Sequence, residues 1–397
     1  MQLAEADTVK CEPEPLNKAL AMLRPLLSKW RTKPVLVNDK MEAIGNSSVC
    51  YALKVLGTKY IPVSRDESER EVPLDLLDPY WEFRENTSRA RVFDNVVKLL
   101  YGNWPTPIVK LKSLSNKSTT VWAKLEWYNP FSLSVKDRIA WYMLVKAFEE
   151  YGEKLRVVYE ATSTNTGLAL AGLANYYGIK TKLYLPRTAQ KCVDYLFKAL
   201  GASVVRKQAS ITTEVIDEVK EEALRDNAVN LNQFENDYNF YVHFRYTAKE
   251  IDYQSRMAGF TPDAIVGGIG TSGHLSAISF YFKSKYGDSV KIFAVEPKQG
   301  ASIPGIRRVE TGMKWIHHVA VDKVLEVSLE EAVQGVLRVA GEDGLLIGLS
   351  AGAVAYTTHK LVSEGAIEGD VVVVFPDHGT KYMEMLEGVL SEESREQ

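Results

Sequence analysis

The chain has 397 residues, of which 46% are hydrophobic and 25% charged, with a net charge of −3. That length suits two to three domains, and the charge balance excludes the basic field that nucleic acid or an anionic membrane requires. Cys11, Cys50 and Cys192 are widely spaced, which argues against a disulfide framework or zinc knuckle and suits a reducing cytoplasm. The first residues lack the basic and apolar regions of a signal peptide, and no apolar run approaches the ~18 residues of a membrane span. The histidines show no metal-ligand spacing, and the adjacent His317 and His318 read as a surface pair.

In chain order, residues 1–95 stand apart. Their pattern predicts a helix over 14–31, a strand at 34–38, a helix over 48–56 closed by Gly57, and a strand at 60–63. The acidic stretch 64–75 reads as a linker or exposed loop. From residue 96 a regular alternation sets in. A strand at 120–127 leads to a helix over 137–151, followed by strands at 156–159, 181–185 and 202–205 with helices over 167–177, 189–200 and 211–225 between and after them. A helix over 242–257, strands at 263–266 and 291–296 around a helix over 275–285, a strand at 371–375 and an amphipathic tail helix complete the pattern. This βαβ rhythm predicts parallel sheet wrapped by helices.

Lys136 is the most informative residue. It lies in Asn129-Pro-Phe-Ser-Leu-Ser-Val-Lys136-Asp-Arg138, where a strand passes through a turn into a helix, at the sheet edge where α/β folds bind ligands. A cation at a helix N-terminus opposes the helix dipole, which lowers its pKa and favours a neutral amine suited to Schiff-base chemistry. Gly268-Ile-Gly270-Thr271-Ser272-Gly273-His274 follows an apolar strand and opens a helix, so its backbone N–H groups can form an anion nest. The same residues satisfy the dinucleotide spacing, with Glu296 ending the next strand; a structural glycine turn is the other reading. Thr162-Ser163-Thr164-Asn165-Thr166-Gly167 is a dense donor set at a helix start and suits a carboxylate, against the plainer alternative of an N-cap with an Asx turn. Gln233 by itself reads as a loop amide and Ser350 as a helix N-cap. The Gly348-Leu-Ser350-Ala-Gly352 spelling has no plausible triad partners for a hydrolase. Arg307-Arg308, in a Pro-Gly loop, suits a phosphate or carboxylate; the alternative is a solvated pair bridged to Glu310.

Taken in order, these segments resemble the fold-type II pyridoxal-phosphate enzymes (tryptophan synthase β-like) of the cysteine synthase and cystathionine β-synthase branch. The resemblance covers residues 100–385 and includes Pro105-Thr-Pro107 and Asn232-Gln-Phe234. It is greatest to archaeal O-phosphoserine sulfhydrylases, through Leu125-Glu-Trp-Tyr-Asn-Pro-Phe-Ser-Leu-Ser-Val-Lys136 and Ser302-Ile-Pro-Gly-Ile-Arg-Arg-Val-Glu-Thr-Gly312. The resemblance implies an α/β fold with two parallel-sheet subdomains in residues 96–397, the smaller and mobile one at about 137–240. It also implies a cytoplasmic homodimer that makes L-cysteine from O-phospho-L-serine and sulfide. Lys136 would carry the pyridoxal 5'-phosphate and move the substrate Cα proton. Gly270, Thr271, Ser272, Gly273 and His274 would hold the cofactor phosphate, Asn165 its 3′ oxygen, and Ser350 its ring nitrogen. Thr162, Ser163, Thr166 and Gln233 would clamp the substrate carboxylate, and Arg307, with Thr213 nearby, the substrate phosphate.

Three departures stand out. Thr164 replaces the glycine usual in bacterial cysteine synthases, His274 replaces the commoner threonine, and the tail motif Asp377-His378-Gly379 is a variant without an assigned role. O-acetylserine sulfhydrylase or cystathionine β-synthase chemistry would use the same site. A threonine synthase-like enzyme, a nicotinamide dehydrogenase built on Gly268–Gly273 and a non-catalytic binding protein are the remaining alternatives. Residues 1–95 resemble ParB-like domains in outline but lack their Gly-x-x-Arg element, so they read as a structural or dimer-supporting extension.

Overall fold

The computed structural model describes residues 1–67, 70–85 and 91–388. Two parallel sheets organise the chain after residue 100. The larger has the strand order Lys323–Val327, Lys291–Pro297, Ala264–Gly268, Gly369–Phe375, Thr119–Leu125, Ile108–Leu111, parallel except for the last pair. The smaller runs Ser203–Lys207, Lys180–Pro186, Val157–Ala161, Val229–Asn230 and is parallel throughout. Val371, Val372, Val373 and Val374 are all fully buried, as expected of a strand with a covered layer on each face.

Residues 2–64 carry a four-stranded mixed sheet ordered Gln2–Glu5, Tyr60–Ser64, Val35–Val37, Ala43–Gly45. Its helix Leu16–Lys29 buries Leu16, Leu20, Leu23 and Leu27 along one face and shares one hydrophobic core with Ile278, Phe280 and Phe282 of helix Gly273–Tyr286. Each such leucine contributes about 1.5–3 kcal/mol by burial, so the extension is built onto the parallel-sheet part rather than tethered to it.

Several elements depart from the sequence pattern. Within the expected linker 64–75, Val72–Pro73 pairs with Arg31–Thr32, and Val72 and Leu74 are buried; residues 68 and 69 lie outside the described residues. The expected helix over 242–257 begins at Tyr238 and contains a π-helical stretch, His243–Ala248. The helix expected over 189–200 is confined to Val193–Ala199, and the first turn of the next is a 3₁₀ helix, Thr212–Val215. Helix Leu329–Asp343 had no counterpart in the sequence pattern, and of helix Leu349–Ser363 only the start near Ser350 was expected. The second of these is buried on nearly every side, which erases the amphipathic signal. The tail helix is described only to residue 388.

The cysteines overturn an expectation. Cys11 and Cys50, 39 residues apart, form a disulfide, because the fold lays the segment after Thr8 against helix Ser47–Leu56; spacing in sequence does not measure distance in space. Cys192 is free and exposed, and His317 and His318 are exposed as expected. No helix among the described residues is long and apolar enough to cross a membrane.

Candidate active site

Four strands, Thr119–Leu125, Val157–Ala161, Ala264–Gly268 and Gly369–Phe375, send their C-terminal ends toward one cleft between the two sheets. The cavity there has a volume of about 230 Å³ and is lined by Lys136, Asn165, Thr166, Gln233, Thr271 and Arg307, among others. A larger cavity of about 700 Å³ between the extension and the Tyr238–Met257 helix holds none of the expected site residues. The chemistry is therefore located by its residues and not by cavity size.

Lys136 is the first residue of helix Lys136–Tyr151. The turn before it is shaped by the buried Asp137 carboxylate, which accepts N–H bonds from Phe131 (2.7 Å) and Ser132 (2.9 Å). Ser134 Oγ accepts from the Lys136 N–H at 3.1 Å. Among the described residues the Lys136 amine has no hydrogen-bond or ion-pair partner. Burial lowers its pKa to about 8; Asp377 works against that shift and Lys381 with it. The lowered lysine pKa expected from sequence is thus present, with burial rather than the helix dipole as the main cause. Beneath it lies a fully buried ion cluster. Arg138 bonds Glu126 and Glu250, each at 2.6 Å, and Lys124 bonds Glu250 at 2.7 Å, joining the strand, the lysine helix and the long helix.

The glycine loop lies alongside. Gly270 and Thr271 line the cavity, whereas Ser272, Gly273 and His274 are buried behind them at the start of helix Gly273–Tyr286. Asn239 donates to Thr271 Oγ1 at 2.9 Å, and the Trp315 N–H donates to Ser272 Oγ at 3.3 Å. A Cβ on Gly270 would stand 2.5 Å from the Gly305 carbonyl oxygen, and one on Gly273 2.4 Å from Asn239 Oδ1. His274 Nε2 is buried without a partner, and burial lowers its pKa to about 3. Glu296, the acid that suited a dinucleotide ribose, instead accepts from the Val309 N–H at 2.8 Å and lies 3.7 Å from Arg308.

The Thr162–Gly167 loop is not a side-chain cap: Thr164 occupies the N-cap position without a capping bond, and Asn165 begins the helix. Ser163, Asn165 and Thr166 line the cavity. Thr162 does not, although its hydroxyl is buried and unpartnered. Gln233 is no ordinary loop amide. It is buried, accepts from Thr166 Oγ1 at 2.7 Å and donates to the Ala161 carbonyl at 3.0 Å. Sequence reasoning missed the reason for its placement: Glu160, fully buried, accepts from the backbone N–H groups of Asn232 (2.8 Å) and Gln233 (3.1 Å). Desolvation pushes the Glu160 carboxyl up to about 8.

Ser350 is not a cap either. Gly348 is the N-cap, and Ser350 is the second residue of helix Leu349–Ser363, buried behind Gly305. The two arginines divide. Arg308 takes the structural role, paired with Glu310 (2.8 Å) and Glu326 (2.6 Å). Arg307 lines the cavity, has no acidic partner among the described residues, and stacks over Phe234 with 5.2 Å to the ring centroid. Its Nε donates to the Gly270 carbonyl at 2.7 Å and its Nη1 to Thr311. Thr213 lines the same wall. Also missed were Lys381 and Tyr382, which meet Asp377 and Asn165 at the cavity's edge. The Asp377 motif was visible in sequence, but no signal marked Lys381.

Residues 99–377 match the model of the family described as pyridoxal-phosphate dependent enzyme. The chain is 33% identical over 302 residues to a cysteine synthase of Staphylococcus aureus, covering 73% of this chain and 95% of the relative. It is 34% identical over 294 residues to cysteine synthase B of Escherichia coli strain K12, covering 72% and 94%. Among solved structures, the O-acetylserine dependent cystathionine β-synthase of Helicobacter pylori superposes with a TM-score of 0.66 at 26% identity, covering 74% of this chain and 98% of that one. O-ureido-L-serine synthase gives 0.67 at 26% identity, covering 75% and 96%. The residues present fit pyridoxal phosphate, the cofactor that the family's description names. A lysine amine without a partner faces the cavity, a helix N-terminus with Thr271 and the unsatisfied His274 Nε2 suits a phosphate, and the glycines leave no room for side chains. Lys136 and the glycine loop therefore sit in a chain that belongs to the fold-type II pyridoxal-phosphate enzymes of the cysteine synthase and cystathionine β-synthase family.

Proposed function

We propose that the protein makes L-cysteine by β-replacement, with O-phospho-L-serine as donor and sulfide as nucleophile. The observation that carries the choice of donor is Arg307, a guanidinium on the cavity wall with no acidic partner among the described residues. Of its five N–H groups, one is donated to Gly270 and two to Thr311, leaving the two on Nη2 for a phosphate.

Pyridoxal phosphate, when bound, supplies the carbonyl that takes up the substrate amine and the electron sink that acidifies Cα. Lys136, with a pKa of about 8, holds the cofactor and then moves the Cα proton, a task matched to its near-neutral pKa. Gly270, Thr271, Ser272, Gly273 and His274 hold the cofactor phosphate, Asn165 faces the 3′ oxygen, and Ser350 offers the ring nitrogen a neutral hydroxyl. Ser163 and the adjacent helix start bind the substrate carboxylate. Thr166 has already given its hydroxyl hydrogen to Gln233, so it orients Gln233, whose remaining N–H reaches the substrate. Thr162 supports this loop from behind. Arg307 and Thr213 hold the phosphate as it leaves.

The second reading is an O-acetylserine donor, with sulfide or homocysteine as acceptor, in line with the name of the Helicobacter pylori relative. Cysteine formation from sulfide with O-phosphoserine, O-acetylserine and serine, each offered to the cofactor-loaded protein, separates the two. Efficient turnover of phosphoserine alone is expected, and equal or better turnover of acetylserine refutes it. A homodimer working in the cytoplasm completes the proposal. Thiol titration of protein prepared without reductant tests whether Cys11 and Cys50 stay paired in that setting.

A further inference from the structure

Asp377 follows the central strand Gly369–Phe375 and joins three parts of the site. The Val135 N–H donates to the Pro376 carbonyl at 2.8 Å beside the Lys136 turn, and the Gly348 N–H donates to the Asp377 carbonyl at 3.1 Å ahead of Ser350. The fully buried Asp377 carboxylate accepts from Asn165 Nδ2 at 2.7 Å and from the Tyr382 hydroxyl. Gly348 leaves room for it, since a Cβ there would stand 2.0 Å from Asp377 Oδ1. Lys381, 3.7 Å from Asp377, donates to Asn165 Oδ1 and to the Ser132 carbonyl at 2.7 Å. The Asn165 amide is therefore gripped at both ends by opposite charges. Turning it over would set its oxygen against the carboxylate and its NH₂ against the ammonium. Only one orientation survives, with the NH₂ turned to Asp377 and the Tyr382 hydroxyl and the amide edge on the cavity wall.

We propose that Asp377 and Lys381 are positioning residues: together they fix which way the Asn165 amide presents itself to the cofactor, and they set the charge balance at Lys136. The pair also ties the larger sheet, which carries Asp377, to the helix of the smaller sheet, which carries Asn165. This inference rests on the cofactor at Lys136 and not on the choice of donor. The other groups facing Lys136 are Glu126, His243, His274 and Arg138. Glu126 and Arg138 neutralise each other, and burial keeps both histidines neutral. Asp377 and Lys381 also offset each other across 3.7 Å, so removing either one leaves the other acting alone on the Lys136 amine, in opposite directions.

The test uses the full-length protein stripped of cofactor. The rate at which added pyridoxal phosphate develops visible absorbance is followed against pH in the parent, Asp377→Asn and Lys381→Met proteins. Asp377→Asn should move the midpoint to lower pH and Lys381→Met to higher pH, each by at least about half a unit. General damage to the fold would not produce opposite signs. Cofactor dissociation constants of Asp377→Ala, Asn165→Ala and the double variant give an independent readout. The double variant should bind no more weakly than Asn165→Ala alone, because Asp377 acts through Asn165. Midpoints that stay fixed or move together, or losses that simply add, overturn the proposal. If Asp377→Ala does not fold, the Asp377→Asn and Lys381→Met midpoints still decide it. Failure of phosphoserine turnover would leave these readouts untouched.

Discussion

Arg307→Ala isolates the leaving-group contact. In the folded protein Nε is held by Gly270 and Nη1 by Thr311, so the substrate phosphate gains at most two charge-assisted bonds, both from Nη2. At about 1.5 kcal/mol each, toward the low end for charged partners because the cavity opens to water, they amount to about 3 kcal/mol, or about 10²-fold in kcat/KM. The loss should fall on O-phosphoserine, while kcat/KM for O-acetylserine, which has no dianion to hold, changes less than about threefold. Arg307→Lys should recover only part of the loss, because an ammonium cannot reproduce the fork. Steady-state cysteine formation with each donor measures both. Equal losses for the two donors would show that Arg307 shapes the loop through Gly270, and an unchanged phosphoserine rate would refute the assignment.

Three further outcomes follow from the geometry. Capture of pyridoxal phosphate by the cofactor-free protein should rise with pH through about 8, where Lys136 becomes neutral, and Lys136→Met should develop no cofactor-dependent visible band. The buried charge on that lysine costs stability below pH 8, and the cost disappears as pH climbs toward the unfolded value near 10.4. Denaturant melts of the cofactor-free protein should therefore show stability gained across that window, a gain made smaller in Lys136→Met, where Lys249, also lowered to about 8 by burial, still contributes. Gly270→Ala places a methyl group 2.5 Å from the Gly305 carbonyl. It should displace the Ser302–Arg307 loop and weaken both cofactor and phosphoserine binding by equilibrium titration, with a wild-type result counting against the close approach. Glu250→Ala leaves Arg138 and Lys124 charged, buried and short of a partner. A loss of about 3–5 kcal/mol in urea melts is expected, and a loss below about 1 kcal/mol would show that the cluster relaxes or admits water.

The βαβ rhythm, the Lys136 turn, the glycine loop and the hydroxyl loop were legible without coordinates. Each depends on residues adjacent in the chain: helix and strand periodicity, a strand end, a helix start. The sequence also carried the family, since the order of short segments survives without coordinates. What it left open needed distance through space. Two adjacent arginines look alike until Glu296, Glu310 and Glu326 claim Arg308 and leave Arg307 on the cavity wall. Gln233 looks like a loop amide until Glu160 and Thr166 hold it. Ser350 looks like a cap until Gly348 proves to be one, and Cys11 finds Cys50 only because the extension folds back on itself. Asp377 and Lys381 reach Asn165 from more than 200 positions away. Local pattern encodes which elements form, but partners for buried charges are chosen by the closure of the two sheets, and only the tertiary structure records that choice.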